Sequence, residues 1–218
     1  MTTAITVLLV DDHAVVREGY RRLLERDAAI SVVGEAADSV QACERAAALE
    51  PDVIVMDIGL PGASGIEAMR RILAHRPQQC VLMFSMYDDV IFPSRALEAG
   101  ARGYVSKASA PEVLVDAISA VARGERYLSP DVQKVMAQTA THGRSPVDTL
   151  TAREFEVLRL LARGETVKRI GEKLGLSEKT VANHQSVIRE KLGARNGVQL
   201  ARVATELGLS PQGPGTCK

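Results

Sequence analysis

Val53-Ile54-Val55-Met56-Asp57-Ile58-Gly59-Leu60-Pro61-Gly62-Ala63-Ser64-Gly65 sets a carboxylate at the end of a four-residue apolar run, just before a turn rich in glycine and proline. An apolar run of this length, bounded by turn residues, reads as a strand buried on both faces of a parallel sheet. A charged tip adds nothing to such a core. It does hold an acid over the crevice outside the C-terminal ends of parallel strands, where open α/β sheets bind ligands. Two more runs end in the same way. Val7-Leu8-Leu9-Val10 leads into Asp11-Asp12, and Gly103-Tyr104-Val105-Ser106 leads into Lys107. Laid parallel, these strands bring three carboxylates and one ammonium to one sheet edge.

Working outward, the pattern predicts strands over 6–10, 30–35, 53–56, 81–85 and 103–106. Between and after them, 14–26, 39–49, 65–76, 90–99 and 111–123 show helical periodicity. Such alternation means right-handed βαβ units and a doubly wound α/β domain with five parallel strands. The run 30–35 is more mixed than the others and suits an edge. Pro93 is tolerated only in a first turn, so the fourth helix is expected to start near 90–92. We read 1–124 as this domain and 125–147 as a linker containing a short helix near 130–140. A second, all-α domain of four helices follows over 148–210, and 211–218 is expected to be a disordered tail.

The net charge is zero, but the two parts differ. Residues 1–128 carry 13 Lys and Arg against 18 Asp and Glu, whereas residues 151–218 carry 12 against 7. An acidic first part and a basic last part point to different partners. Cys43, Cys80 and Cys217 lack metal-ligand spacing and read as reduced thiols. No signal-peptide pattern precedes the first strand, and no apolar run reaches the ~18 residues of a membrane span, so a cytoplasmic protein without membrane contact is expected. With 3% aromatic residues and no tryptophan, base stacking on exposed rings is a poor candidate binding mode.

Clustered carboxylates repel one another unless a cation neutralises them. Hard oxygen donors at this density suit Mg²⁺, which also accepts phosphate oxygens as ligands. Asp57 can then act as nucleophile toward a phosphoryl group, whose oxygens would find Lys107 and the hydroxyl of Ser85 at the end of the fourth strand. Phosphohydrolases of the haloacid dehalogenase type also use a strand-end Asp, but carry a second Asp two residues later as general acid. Gly59 stands there in this chain, so the cluster is expected to accept a phosphoryl group and release it slowly.

In the second domain, Thr151-Ala152-Arg153-Glu154 is a capping box, with Phe155, Leu158 and Leu161 on the core face of its helix. A helix over 167–174, the turn Gly175-Leu176-Ser177 and a third helix from Ser177 to Leu192 have the helix-turn-helix spacing. On the third helix Val181, Ile188 and Leu192 share one face, with His184 and Gln185 at its margins. Lys179, Asn183, Ser186 and Glu190 lie opposite, flanked by Ala182 and Val187. Small and polar side chains let a helix approach base edges. Asn183 suits adenine, and Ala182 or Val187 a thymine methyl. Lys179, Thr180, Arg189 and Lys191 suit phosphates, and His184 at the margin is also taken as a DNA-contact candidate.

Asp11-Asp12, Asp57 with Leu60-Pro61 and Gly65, Ser85, Ala99-Gly100-Ala101 and Lys107 follow the order and spacing of receiver domains. Leu176-Ser177, Lys179-Thr180-Val181, His184 and Lys191-Leu192-Gly193 resemble the LuxR-type helix-turn-helix. Nearly the whole chain thus resembles two-component response regulators of the NarL/FixJ subfamily. The resemblance implies the flavodoxin-like strand order 2-1-3-4-5 and a phosphoryl group on Asp57 from a sensor histidine kinase. It implies Mg²⁺ on Asp11, Asp12, Asp57 and the backbone carbonyl of Gly59, Lys107 on the phosphoryl group, and Ser85 and Tyr104 as switch residues. His13 reads as an exposed residue opening the first helix, and the last helix, over 198–207, matches the family's dimer-forming element. Homodimers would read an inverted repeat in the major groove of double-stranded DNA, and RNA polymerase is a further candidate partner. A DNA-binding regulator that uses its receiver only to dimerise remains the alternative. Ala108 stands where many receivers carry proline after the lysine. Val167 stands for a frequent Asn, Gly171 for a frequent Ala, and Ala182 and Ser186 where relatives often place Lys. Gly171 is expected to weaken its helix by about 0.5–1 kcal/mol.

Overall fold

The computed structural model describes residues 4–61, 63–86, 91–139 and 146–206. The chain divides into two compact units, Met1–His142 and Gly143–Lys218. In the first, strands β1 (Ile5–Val10), β2 (Ile30–Ala36), β3 (Val53–Met56), β4 (Cys80–Ser85) and β5 (Gly103–Ser106) alternate with helices. These are α1 (Ala14–Leu24), α2 (Ser39–Leu49), α3 (Gly65–His75), α4 (Ile91–Glu98) and α5 (Pro111–Ala122). All strand pairs are parallel, in the order β2-β1-β3-β4-β5-β6.

The sixth strand, β6 (Tyr127–Leu128), corrects the expected count of five. Two residues are too short to show a strand pattern, and they follow Gly124, whose φ of 81° turns the chain back after α5. Tyr127 N–H then donates to the Arg102 carbonyl at 3.1 Å, and Ser129 N–H to the Tyr104 carbonyl at 3.0 Å. Helix α6 (Pro130–Thr139) contacts β5 and α4, with Val132 buried. The first unit therefore does not end at 124, and the segment read as linker from 125 joins it as far as α6. Of the remaining linker, 140–145 lies outside the described residues, as do Leu207 and the expected tail 211–218.

The strand pattern follows from burial. On one sheet face Val7, Leu9, Val53, Val55, Leu82, Phe84 and Val105 pack with Leu24, Leu114, Ile118 and Val121 of α1 and α5. The alternate residues Leu8, Ile54, Met56, Val81, Met83 and Tyr104 are equally buried, so both faces are covered. Burial in β2 alternates over 30–33, which suits an edge strand. Pro93 lies in the first turn of α4, where its missing N–H costs nothing.

The second unit holds a short 3-10 helix (Pro146–Thr149) and helices α7 (Ala152–Ala162), α8 (Val167–Leu174), α9 (Glu178–Lys191) and α10 (Gly197–Glu206). Phe155, Leu158, Ile170, Leu174, Val181, Ile188, Leu200 and Ala204 are among its buried residues, while Leu161 is half-buried. Gly175 ends α8 in the left-handed region (φ 62°). A Cβ on Gly171 would meet the Leu176 carbonyl oxygen at 2.7 Å. The expected weakening of α8 is thus only half of the account, because the turn into α9 needs that close approach. Between α7 and α9, Glu154 joins the capping box, accepting from the Thr151 N–H at 2.6 Å and from Lys191 Nζ at 2.7 Å.

Burial alone would raise the Glu154 pKa. The bonds from Lys191 and Thr151 outweigh it and hold the carboxyl below its ordinary value of 4.5. A depressed folded-state pKa means stability that is complete above about pH 5 and is lost as pH falls through the folded value. Glu154→Gln is expected to destabilise the second unit by about 1–3 kcal/mol at pH 7, with a difference that shrinks below pH 4.5. Amide exchange of α7 and α9 at several pH values measures this, and a pH-independent difference would contradict it.

Candidate functional sites

Asp57 follows β3 directly, and its N–H donates to the Val10 carbonyl at 2.9 Å, which locks the tips of β3 and β1 side by side. The Ile58 N–H donates to Asp57 Oδ1 at 2.7 Å, fixing the carboxylate plane and leaving Oδ2 for a cation. Lys107 Nζ reaches Asp57 Oδ2 at 2.7 Å and Asp11 Oδ2 at 2.5 Å. All three side chains are about nine-tenths buried. Burial disfavours the lysine's charge, but the neighbouring charge of Asp57 and the bonds from Asp11 and Asp57 prevail and leave the ammonium pKa above its usual value. The ammonium also stands 5.8 Å from the centre of the Phe84 ring.

Asp11, Asp12 and His13 bring three ligand atoms within 4.8 Å of one another. His13 opens α1 and is exposed, as read from the sequence. Sequence reasoning missed that its Nδ1 comes to 2.7 Å from Asp12 Oδ1. That approach lacks hydrogen-bond direction, so Asp12 Oδ1 is buried with no hydrogen-bond partner. Ser85 Oγ at the end of β4 is likewise buried without a partner, while the Ser85 carbonyl accepts from the Lys107 N–H at 2.9 Å. The structure therefore brings Asp11, Asp57 and Lys107 into direct contact and groups Asp12 with Asp11 and His13. Gly59 lies in the loop between β3 and α3, and Tyr104 is wholly buried in β5.

The donor set fits a divalent cation. Two carboxylates, Asp11 and Asp57, share one ammonium, Asp12 stands beside Asp11, and the buried Asp12 Oδ1 accepts no hydrogen bond. Where Ala108 replaces a proline, its N–H donates to Ser106 Oγ at 3.2 Å, a bond that proline could not make.

On α9 the wheel reading matches observed burial. Val181 and Ile188 are buried, and His184, Gln185, Arg189 and Leu192 are half-buried. Lys179, Ala182, Asn183, Ser186, Val187 and Glu190 are exposed. Burial holds the His184 imidazole below its usual pKa, the carboxylate of Glu154 opposing and the charge of Arg153 reinforcing that shift, so it sits there as a neutral group at pH 7. Three expected phosphate contacts, Thr180, Arg189 and Lys191, have other bonds. Lys191 holds Glu154, and the Thr180 N–H and hydroxyl lie 3.1 and 2.8 Å from Ser177 Oγ at the start of α9. Ser186 Oγ donates to the Ala182 carbonyl and accepts from Arg189.

A strand-tip acid cluster on a parallel α/β sheet, followed by a helix-turn-helix unit, defines a class of regulated DNA-binding proteins. Residues 7–119 match the response regulator receiver domain, and residues 148–204 match the bacterial regulatory proteins of the luxR family. The chain belongs to these response regulators, which are DNA-binding transcription regulators of two-component systems rather than enzymes of metabolism. It is 37% identical over 211 residues to the response regulator UvrY of Escherichia coli, covering 94% of this chain and 95% of that protein. To the response regulator GacA of Pseudomonas aeruginosa it is 38% identical over 209 residues, covering 94% and 97%. Among solved structures, it resembles RcsB of Salmonella enterica bound to promoter DNA with a beryllium fluoride phosphomimetic. There the TM-score is 0.65 with 29% identity, covering 93% of this chain and 99% of that one.

Proposed function

We propose that Asp57 accepts a phosphoryl group from a sensor histidine kinase or a small phosphodonor. The transfer breaks the donor's N–P or O–P bond and forms an acyl phosphate on Asp57. Oδ2 is the oxygen we assign to attack, because the Ile58 N–H holds Oδ1. Lys107 Nζ then turns from carboxylate to phosphoryl oxygens, and the unpartnered Ser85 hydroxyl donates to another. Asp11, Asp12 and Asp57 with the carbonyl of Gly59 would hold Mg²⁺, which supplies charge neutralisation at the transferring oxygens. No residue two positions after Asp57 offers an acid to hydrolyse the product, so the phosphoryl group persists as a signal.

In this reading the modified state rearranges Ser85 and Tyr104 and favours a homodimer. Its paired α9 helices enter successive major grooves of an inverted repeat in double-stranded DNA, in the cytoplasm. Lys179, Asn183, Ala182, Ser186 and Val187 are the exposed residues assigned to the DNA face. The one observation that carries the proposal is the Asp57–Lys107–Asp11 cluster beside an unpartnered Ser85 hydroxyl, in a chain that also holds a helix-turn-helix. The experiment compares wild type and Asp57→Ala for phosphate incorporation with Mg²⁺. It also compares affinity for DNA selected from random sequence by the phosphorylated chain. Wild type is expected to incorporate phosphate and bind at least tenfold tighter than the variant. Equal DNA affinity would leave a regulator that uses its first unit only to dimerise.

A further inference from the structure

The acids that face the sheet edge are held from below by a residue outside the cluster. Arg17, one turn into α1, donates from Nη1 to the backbone carbonyl of Asp11 at 2.5 Å. Its Nε donates to Glu35 Oε2 on β2 at 3.2 Å, and Arg21 Nη1 donates to the other oxygen of the same carboxylate at 2.9 Å. The Arg17 side chain is 15% exposed. Asp11 is thereby fixed at three points: its carbonyl by Arg17, Oδ1 by the His13 N–H at 2.8 Å, and Oδ2 by Lys107.

We propose that Arg17, braced by Glu35, is a positioning residue that sets Asp11 and Asp12 for the divalent cation. This rests on the phosphoacceptor reading above. Residues beyond the ligands govern affinity by fixing ligand orientation. Here the bond falls on the peptide that joins the two acids, so rotation of that peptide would turn both carboxylates together. The opposite electrostatic effect, a guanidinium repelling the cation, is blunted by the Glu35 carboxylate that neutralises Arg17 and shares its charge with Arg21. Burial would raise the Glu35 pKa, but the bonds and charges of Arg21 and Arg17 prevail and hold it below its usual value, so it serves as a counter-charge at neutral pH.

The test measures Mg²⁺ affinity of the full chain by calorimetric titration, and separately the Mg²⁺ dependence of phosphorylation by acetyl phosphate. Arg17→Met is expected to weaken Mg²⁺ binding about tenfold or more, and to raise the half-saturating Mg²⁺ concentration by the same factor. The phosphorylation rate at saturating Mg²⁺ should stay within threefold of wild type, a split that general loosening would not produce. Arg17→Lys, which keeps a donor for the carbonyl, should recover part of the affinity. Mg²⁺ affinity within twofold of wild type in a folded Arg17→Met overturns the proposal. Should that variant fail to fold, Glu35→Gln decides: at least threefold weaker binding supports the brace, and unchanged binding overturns it. A wild-type chain that binds no Mg²⁺ would instead sink the phosphoacceptor reading itself.

Discussion

Gly65→Ala is expected to lower the unfolding midpoint of the first unit by about 10 °C and to slow phosphate incorporation at least tenfold. A Cβ built on Gly65 falls 1.8 Å from the Asp57 carbonyl oxygen, 2.8 Å from its carbon and 3.1 Å from Ile58 Cα. All three are backbone atoms, so no side chain can swing aside. Overpacking of this kind costs typically 1–3 kcal/mol, and more where nothing yields. Relief requires the start of α3 to part from the loop after β3, where the Gly65 N–H donates to the Ile58 carbonyl at 2.8 Å. That loop carries Asp57, the proposed nucleophile, and a displacement near 1 Å is enough to cost about 100-fold in rate. Thermal unfolding and a phosphorylation time course check both effects. A variant that matches wild type on both counts would show that α3 does not brace Asp57.

Lys107→Met should have the second large effect, and its sign should depend on Mg²⁺. The lysine is the sole cation seen between Asp11 and Asp57 among the described residues, and all three groups are buried. Removing one partner from such a cluster leaves uncompensated charge, which costs about 3–5 kcal/mol. Urea unfolding without Mg²⁺ is expected to show that loss, and millimolar Mg²⁺ to restore a measurable part of it. Phosphate incorporation should stay at least 100-fold reduced even at saturating Mg²⁺, because the neutral Ser85 hydroxyl would then be the one proposed side-chain donor left at the transferring oxygens. A destabilisation under 1 kcal/mol without Mg²⁺ would mean that the carboxylates shed their charge or move apart instead.

Much of this was legible in the sequence because it depends on period and on strand tips. The apolar runs before Asp11, Asp57 and Lys107 fixed which ends carry chemistry, and parallel connection brings those ends together whatever the helices between them do. Periodicity also sorted α9, since burial of Val181 and Ile188 follows from spacing alone. What escaped was pairing across distance. Nothing in the pattern links Arg17 to Glu35, 18 positions on, or Lys191 to Glu154, 37 positions back. Each is an ordinary charged residue until the chain is folded. Gly171 misled in another way. Helix propensity prices a glycine within its own helix, whereas its use lies in the approach of the Leu176 carbonyl from the next turn.

The two-residue strand β6 was too short for any pattern to reveal. Its effect is topological. Without it β5, only four residues long and wholly buried, would be the outer strand of the sheet, with amides and carbonyls open to any extended segment. Tyr127 and Ser129 take those bonds, and α6 lies against what remains. A molecule meeting the receiver on this flank encounters the two-residue β6, with α6 packed on β5, in place of a four-residue unpaired strand. Recognition there is expected to rest on side-chain fit, because an edge of two residues offers a visiting strand little backbone to pair with.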